Sequence, residues 1–187
     1  PAIDFLMASL DWTPKDLDRI VVAEGPGSYT GLRIAVATAK TLAHTLNIEL
    51  VGMSSLLALV PRQQEGLFVP LMDARRNNVY AGFYENATPV MPEAHLSFAE
   101  VLEQVKDAEQ VTFVGEVRAF VEQIQEQLPQ ASYQETLSNA ANLALWAWDK
   151  KEDSLHDFVP NYLKRVEAEE NWLKNHTESG GSYIKRL

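Results

Sequence analysis

The chain has 187 residues, of which 46% are hydrophobic and 22% charged, and it contains no cysteine. These proportions are typical of a folded protein of one domain or two small lobes, and they exclude disulfides and thiolate metal sites. Acidic residues number 26 against 16 basic ones, and the net charge of −10 disfavours direct binding of nucleic acid, whose phosphates are also negative. No apolar run approaches the ~20 residues of a membrane span, and no signal peptide begins the sequence, so we expect a cytoplasmic protein without membrane association.

The first third of the chain alternates helical and strand patterns. Apolar residues recur at helical spacing in the opening segment, and a run of β-branched residues ends at a Gly-Pro-Gly sequence, as buried strands do before tight turns. The predicted elements are a helix at residues 2–10, a short helix that Thr13 caps and Pro14 begins, a strand at 20–23, a helix at 30–46, a strand at 48–51 and a helix from Ser54 to near Pro61.

The rest of the chain continues the mixture of strands and helices. Asn77 and Asn78 favour a hairpin because asparagine tolerates positive φ. Pro70 favours an edge strand or an irregular strand end, and residues 87–92 are expected to form a loop. The predicted elements are strands at 67–72, 79–84 and 111–114, a short strand at 131–133, and helices at 97–106, 118–128 and 138–149.

The order of strands and helices predicts the fold class. Strands followed by helices occur once before residue 65 and again after it, which is typical of α/β proteins. The composition changes most sharply at residues 61–66. We therefore predict an α/β fold of two similar lobes, at residues 1–65 and 66–187.

The sharpest local signal is a glycine-rich turn between a buried strand and the long helix. Its residues are Gly25, Pro26, Gly27, Ser28, Tyr29, Thr30 and Gly31. Phosphate-binding loops occupy this position. A Walker loop, however, would have lysine where Leu32 follows Gly31. The dinucleotide fingerprint has two residues between its last two glycines, whereas three separate Gly27 from Gly31 here. Ser28 also lacks the Gly-x-Ser-x-Gly elbow of a nucleophile. Two interpretations stay open: an anion-binding loop, or a tight turn in which Ser28 or Thr30 caps the helix.

The helix at 30–46 carries more apolar and small residues than one contact with a sheet requires. At 100° per residue, its surface divides into a core face, a polar stripe and a threonine-rich stripe. The core face is Ala35, Val36, Ala39, Leu42, Ala43 and Leu46, the polar stripe is Arg33, Ala37, Lys40 and His44, and the third stripe is Ile34, Thr38, Thr41 and Thr45. The threonine-rich side of the helix, outside the core face, would be covered either by a second protein or by a segment preceding residue 1.

Few other residues suggest chemistry. The chain has four histidines, His44, His95, His156 and His176. Because they lack the spacing of metal ligands, no metal site is predicted. Asp73 follows an apolar strand, where functional carboxylates are often found. It can also cap the turn at residues 73–76, and both roles stay open.

Four segments, in order along the chain, carry a family resemblance. Residues 20–34 strongly resemble the strand, turn and helix start of the TsaB (YeaZ) family. Residues 50–56 are similar to its "G-V-S-S/T-L" segment, and residues 71–80 resemble its "D-A-R…V-Y" hairpin. Residues 160–164 resemble its C-terminal "P-x-Y-L-R". The TsaD family shares the Gly-Pro-Gly-Ser motif, but the length of this chain and its lack of the metal-binding histidine pair argue against TsaD.

The resemblance implies a fold and a role. The fold is the ASKHA (actin/Hsp70-like, ribonuclease H-like) fold of two related lobes, with the N-terminal strands of the first lobe missing here. The role is that of a non-catalytic subunit that pairs with TsaD, joined by TsaE, to form N6-threonylcarbamoyladenosine (t6A) at position 37 of tRNA. ATP and metal belong to the partner subunits, tRNA is met only through the complex, and the subunit alone can form a homodimer.

The resemblance and the helix pattern together predict a partner interface on two helices. The predicted contacts are Phe5, Leu6, Ser9, Arg33, Ile34, Ala37, Thr38, Thr41, His44 and Thr45. No catalytic residue, metal or cofactor is assigned to this chain, and nothing resembles the protease site that the older glycoprotease label suggests. The alternative is an ASKHA-type phosphotransferase or an M22-like peptidase that uses Ser28 or Asp73.

Overall fold

The computed structural model describes residues 2–62, 65–86 and 88–164. Its first part contains the elements that surround the glycine-rich turn. Asp16 Oδ2 accepts hydrogen bonds from the backbone and the hydroxyl of Thr13, which fixes a short 3₁₀ helix at Pro14–Asp16. The elements are α1 (Ala2–Ser9), β1 (Arg19–Gly25), α2 (Tyr29–Leu46) and β2 (Glu49–Ser54).

The first sheet contains β1 and β2, which pair in parallel, with Val21 opposite Val51. The helix α2 connects these strands and packs against them, as a parallel crossover requires. Asn47 ends α2 in the left-handed conformation, with φ 54°, a role that asparagine tolerates well. The helix therefore matches the predicted length almost to the residue.

The face of α2 that meets the sheet agrees in part with the predicted core face. The buried residues of the helix are Leu32, Val36, Ala39 and Ala43. Ala35 is exposed, and Leu42 and Leu46 are half-buried. The prediction was therefore correct for Val36, Ala39 and Ala43, wrong for Ala35, and missed Leu32, because several apolar stripes compete on this helix and only the position of the sheet decides between them.

The second sheet has five strands in the order β5-β4-β3-β6-β7. The strands β3, β6 and β7 are parallel, β4 is antiparallel to β3, and the edge strand β5 is antiparallel to β4. The elements are β3 (Leu67–Asp73), β4 (Asn78–Glu85), β5 (Thr88–Ser97), α3 (Phe98–Val105), β6 (Val111–Gly115), α4 (Val121–Gln127), β7 (Ser132–Glu135) and α5 (Ala140–Trp146).

Two expectations about proline in this sheet were wrong. Residues 88–92, expected in a loop, belong to β5, an edge strand in which Pro89 and Pro92 are tolerated. Pro70 lies buried in β3, the central strand. The ladder to β4 pairs Phe68 with Tyr84 and Leu71 with Ala81 but skips the residues between them, so the missing N–H of Pro70 falls in a gap of the ladder.

Two further expectations were corrected by the structure. The helix expected from Ser54 to near Pro61 is only a 3₁₀ turn at Leu57–Leu59, whose residues are all buried. The last described helix begins at Ala140 instead of Ser138, because Asn139 caps it by accepting from the backbone N–H of Asn142. The predicted hairpin is confirmed, and Asn77 has the positive φ of 58°.

A shared core joins the two sheets. Val51 and Met53 of β2 pack in one buried cluster with Phe68, Tyr84 and Val114 of the second sheet. A larger cluster lies between the second sheet and the helices α3 and α4. No helix in the described ranges is long and apolar enough to cross a membrane.

Candidate partner-binding surface

The glycine-rich turn positions the start of α2. Ser28 is the N-cap, and its Oγ accepts from the backbone N–H of Gly31 at 3.4 Å. The Gly25–Pro26 peptide is cis, and Gly25 has φ 136° with its Cα facing the carbonyl of Asn161. Because a side chain at Gly25 would collide with that backbone, glycine is required there. The geometry supports the interpretation of this segment as a capped, tightly packed turn.

The predicted contact residues on α1 and α2 all lie on the surface. Phe5 is 76% exposed and Ile34 is 63% exposed. The others, also exposed, are Leu6, Ser9, Arg33, Ala37, Thr38, Thr41, His44 and Thr45. Exposure is what a partner interface requires, and the assignment of these residues to an interface stays a prediction.

An apolar groove of about 590 Å³ lies between α1, α2 and β1. Two of the predicted contact positions on α2, Thr38 and Thr45, line it, together with Leu6 of α1. Its other walls include Ile3, Leu10, Leu42 and Leu46. The groove makes the side of α2 next to α1 the most apolar part of this surface.

Arg33 is held by two tyrosines, a cluster that sequence reasoning did not find. Its guanidinium carbon lies 4.4 Å from the centroid of the Tyr29 ring, and its Nε donates to the Tyr162 hydroxyl at 3.2 Å. The two tyrosine rings stack with centroids 5.1 Å apart. The hydrogen bond to Tyr162, followed by the charge interaction with Tyr29, raises the pKa of Arg33 above its ordinary value.

Tyr162 reaches Arg33 because residues 153–162, here called the C-terminal strap, return from the second sheet to the first. The backbone N–H of Asp153 donates to Leu50 O at 2.8 Å, and that of Asn161 donates to Glu24 O at 2.7 Å. Lys40 of α2 donates from Nζ to the carbonyl of Phe158 at 2.9 Å, and the Phe158 ring is buried. The strap is thus fixed to β1, β2 and α2.

The carboxylates of Glu24, Glu93 and Asp153 lie near one another where the strap approaches both sheets. The Oε1 atom of Glu93 accepts hydrogen bonds from the hydroxyls of Ser54 and Tyr84, which links β2 to the second sheet. Burial, followed by repulsion from Asp153, raises the pKa of Glu24. In the described part of the chain, no group of three or more His, Cys, Asp or Glu side chains is arranged to hold a metal ion.

The other sequence candidates lie apart from one another. Asp73 Oδ1 accepts from the backbone N–H of Arg75 at 2.7 Å, which is the geometry of a turn cap. His44 is on the exposed side of α2, His95 packs against Tyr80 in the second sheet with ring centroids 5.3 Å apart, and His156 belongs to the strap. His176 lies outside the described residues.

These features define a mixed α/β protein whose longest described helix leaves a broad face to solvent. The profile of the family described as "TsaD: tRNA N6-adenosine threonylcarbamoyltransferase" matches residues 1–172. The chain is 37% identical over 187 residues to the tRNA threonylcarbamoyladenosine biosynthesis protein TsaB of Bacillus subtilis, in an alignment that covers 94% of this chain and 82% of that protein. The chain belongs to the TsaB (YeaZ) family.

Solved structures support the same relationship. YeaZ from Pseudomonas aeruginosa superposes with a TM-score of 0.69 at 25% identity, covering 85% of this chain and 80% of that one. A second crystal structure, of an uncharacterized protein with similarity to peptidase YeaZ from Pseudomonas aeruginosa, gives a TM-score of 0.70 at 26% identity, covering 87% and 81%. The mixed α/β architecture described above is compatible with an ASKHA-like fold.

Proposed function

We propose that this protein is a non-catalytic subunit in the formation of t6A on tRNA, and that it binds TsaD through the exposed face of α2 and the neighbouring helix α1. The B. subtilis relative carries a name from this pathway. The observation that carries the proposal is the exposed, largely uncharged face of α2, with the apolar groove between α1 and α2 beside it.

The composition of this face suits a helix-to-helix contact. Ala37, Thr38 and Thr41 are small, so a second helix can approach α2 closely. Phe5 and Ile34 supply apolar area whose burial would stabilise a complex. An interface of ordinary size would bury about 800 Å² on each partner, an area that two neighbouring helices can supply.

Several further parts of the proposal are supported only by the resemblance to the family. The protein is cytoplasmic, has the two-lobed ASKHA architecture with lobes at 1–65 and 66–187, and meets tRNA only through the complex. TsaE joins TsaD in that complex, and ATP and metal are bound by those partners. Without TsaD, two copies of this chain associate through the same face of α2.

The alternative enzymatic function has less support from the geometry. The Ser28 hydroxyl accepts from Gly31 as a helix cap, and the Asp73 carboxylate caps the turn that follows β3. A phosphotransferase or a peptidase would need one of these side chains to meet a substrate instead. Calorimetry with ATP and activity measurements on Asp73→Ala distinguish the two functions, since a clear loss of turnover would favour the enzyme.

The direct test is calorimetric titration of the protein with TsaD from the same organism. Thr41→Glu and Thr38→Arg place a charge in the proposed contact and should abolish measurable binding, while Thr88→Glu, an exposed threonine on β5, serves as the matched control. The same variants should lower t6A formation by the reconstituted complex in proportion. Unchanged affinity of Thr41→Glu for TsaD would refute the proposal.

A further inference from the structure

The Arg33 guanidinium is oriented by two contacts with its own chain. The Tyr29 ring supports its face, the Tyr162 hydroxyl accepts from Nε, and the two rings stack on each other. Within the described ranges, the terminal Nη groups donate no hydrogen bond, and the ion pairs there belong to Arg19 and Lys106. Arg33 is thus fixed in place with the N–H groups of both Nη atoms still available.

The orientation is held by the fold and not only by the two rings. Asn161, the residue before Tyr162, donates from its backbone to Glu24 O at 2.7 Å, and the Phe158 ring is buried in the core beside α2. Tyr29 is in the first turn of α2, directly after the Ser28 cap. Tyr162 is 129 residues away from Arg33 in sequence, so the contact depends on the complete course of the strap.

We propose that Tyr29 and Tyr162 act as positioning residues for Arg33, whose Nη groups bind a carboxylate of the protein that docks on α2. This inference rests on the proposed function and adds the chemistry of one contact to it. A planar guanidinium with two parallel N–H donors matches a carboxylate in a bidentate arrangement. Because the guanidinium is already held in one orientation, Arg33 loses less side-chain entropy on binding than a freely moving exposed arginine would.

A protein carboxylate is favoured over a nucleic-acid phosphate as the occupant. The chain carries a net charge of −10, which repels a polyanion over the whole surface. A single carboxylate in a docked protein would meet only the local positive charge of Arg33. Arg33 lies beside Ile34 and Ala37 in the same exposed face, so this contact would add one charge pair to a largely uncharged surface.

The test is a double-mutant cycle on the affinity for TsaD. Arg33→Ala removes the donor, and Tyr162→Phe removes the acceptor of Nε while keeping the ring that stacks on Tyr29. We expect Arg33→Ala to weaken binding about tenfold or more. Arg33→Lys should bind TsaD almost as weakly as Arg33→Ala. Tyr162→Phe should weaken binding several-fold, but only when Arg33 is present. Arg118→Ala, another exposed arginine, is the matched control, and thermal melts should be unchanged for all variants.

The outcomes separate this inference from the proposed function. If Thr41→Glu abolishes binding while Arg33→Ala leaves it unchanged, the inference is wrong and the proposed function stands. Equal effects of Tyr162→Phe with and without Arg33 would also overturn the inference, since a positioning role requires coupling between the two side chains. If the wild-type protein does not bind TsaD at all, both fail. If the protein alone binds tRNA and Arg33→Ala weakens that binding, Arg33 contacts phosphate instead of a carboxylate, and the inference is wrong.

Discussion

The backbone N–H of Gly52 donates to Asp153 Oδ2 at 2.7 Å, a contact that joins the middle of β2 to the C-terminal strap. Gly52 also lies against the Phe158 ring and the Glu24 carboxylate, and a Cβ at this position would be 2.5 Å from each. The close approach of strap and strand therefore requires glycine. This contact fixes one end of the segment that brings Tyr162 to Arg33.

Replacing Gly52 with alanine should loosen the strap. The added methyl group would displace Phe158 or Glu24, and overpacking of this kind costs about 1–3 kcal/mol. The free energy of unfolding from denaturant titration measures the effect. Gly31→Ala is the control, because a Cβ there meets only Ser28 at ordinary contact distance and alanine favours the helix. Equal stabilities of Gly52→Ala and the wild type would show that the strap does not pack as described.

Replacing Glu24 with glutamine should stabilise the protein at neutral pH. Because burial and Asp153 raise the pKa of Glu24 above its ordinary value of 4.5, ionising this carboxyl costs more in the folded than in the unfolded chain. The wild type therefore loses stability as the pH rises from about 4.5 through the raised pKa. We expect Glu24→Gln to gain less than about 1 kcal/mol at pH 7.5, since solvent screens a half-buried group.

The pH dependence is the check on that expectation. The gain should shrink as the pH falls to 4, where Glu24 is mostly protonated in both the folded and the unfolded chain. Glu126→Gln, an exposed substitution on α4, should show no such trend. A gain that is the same at pH 4 and pH 7.5 would mean that the charge of Glu24 is not its cause.

Replacing Tyr84 with phenylalanine should remove one of the two hydrogen bonds that hold Glu93, the carboxylate that also accepts from Ser54 of β2. Burial, followed by the charge of Glu93, raises the pKa of Tyr84, so its hydroxyl stays protonated and donates to Glu93. Loss of this hydrogen bond to a charged group should cost about 1.5–3 kcal/mol, measured by chemical denaturation. Tyr133→Phe removes an exposed hydroxyl that accepts from Gln125 and should cost less. An unchanged unfolding midpoint for Tyr84→Phe would contradict the role of this contact.

Replacing Ile34 with glutamate should prevent self-association in the absence of TsaD. Ile34 is 63% exposed on the proposed contact face, and a charge there would have to be desolvated in a dimer. Sedimentation velocity over a range of concentrations gives the result: the wild type should show a dimer and the variant a monomer. Val90→Glu, an exposed change on β5, should behave like the wild type, and a dimer that survives Ile34→Glu would place self-association elsewhere.

Local patterns were sufficient for the elements whose signals are local. The length of α2 was predicted almost to the residue, and in the structure Ser28 caps its start and Asn47 ends it. The β3–β4 hairpin was predicted from Asn77 and Asn78, and the structure gives Asn77 the positive φ that such a turn needs. Capping and turn chemistry depend on a few neighbouring residues, which a sequence shows directly.

Features set by distant contacts could not be predicted in the same way. The buried face of α2 depends on where the sheet lies, so Leu32 became core and Ala35 became surface. Pro89 and Pro92 indicate a loop until it is known that β5 is an edge strand. The contact between Arg33 and Tyr162 requires the whole chain to fold first, and no local signal marks it.

Hydrogen–deuterium exchange of the protein with and without TsaD would show whether α1 and α2 form the contact, because it identifies the backbone segments that a partner covers. We expect TsaD to slow exchange at residues 29–46 and 2–9, with no change at residues 111–127 of β6 and α4. Protection confined to the second sheet, with α2 exchanging as in the free protein, would contradict this expectation.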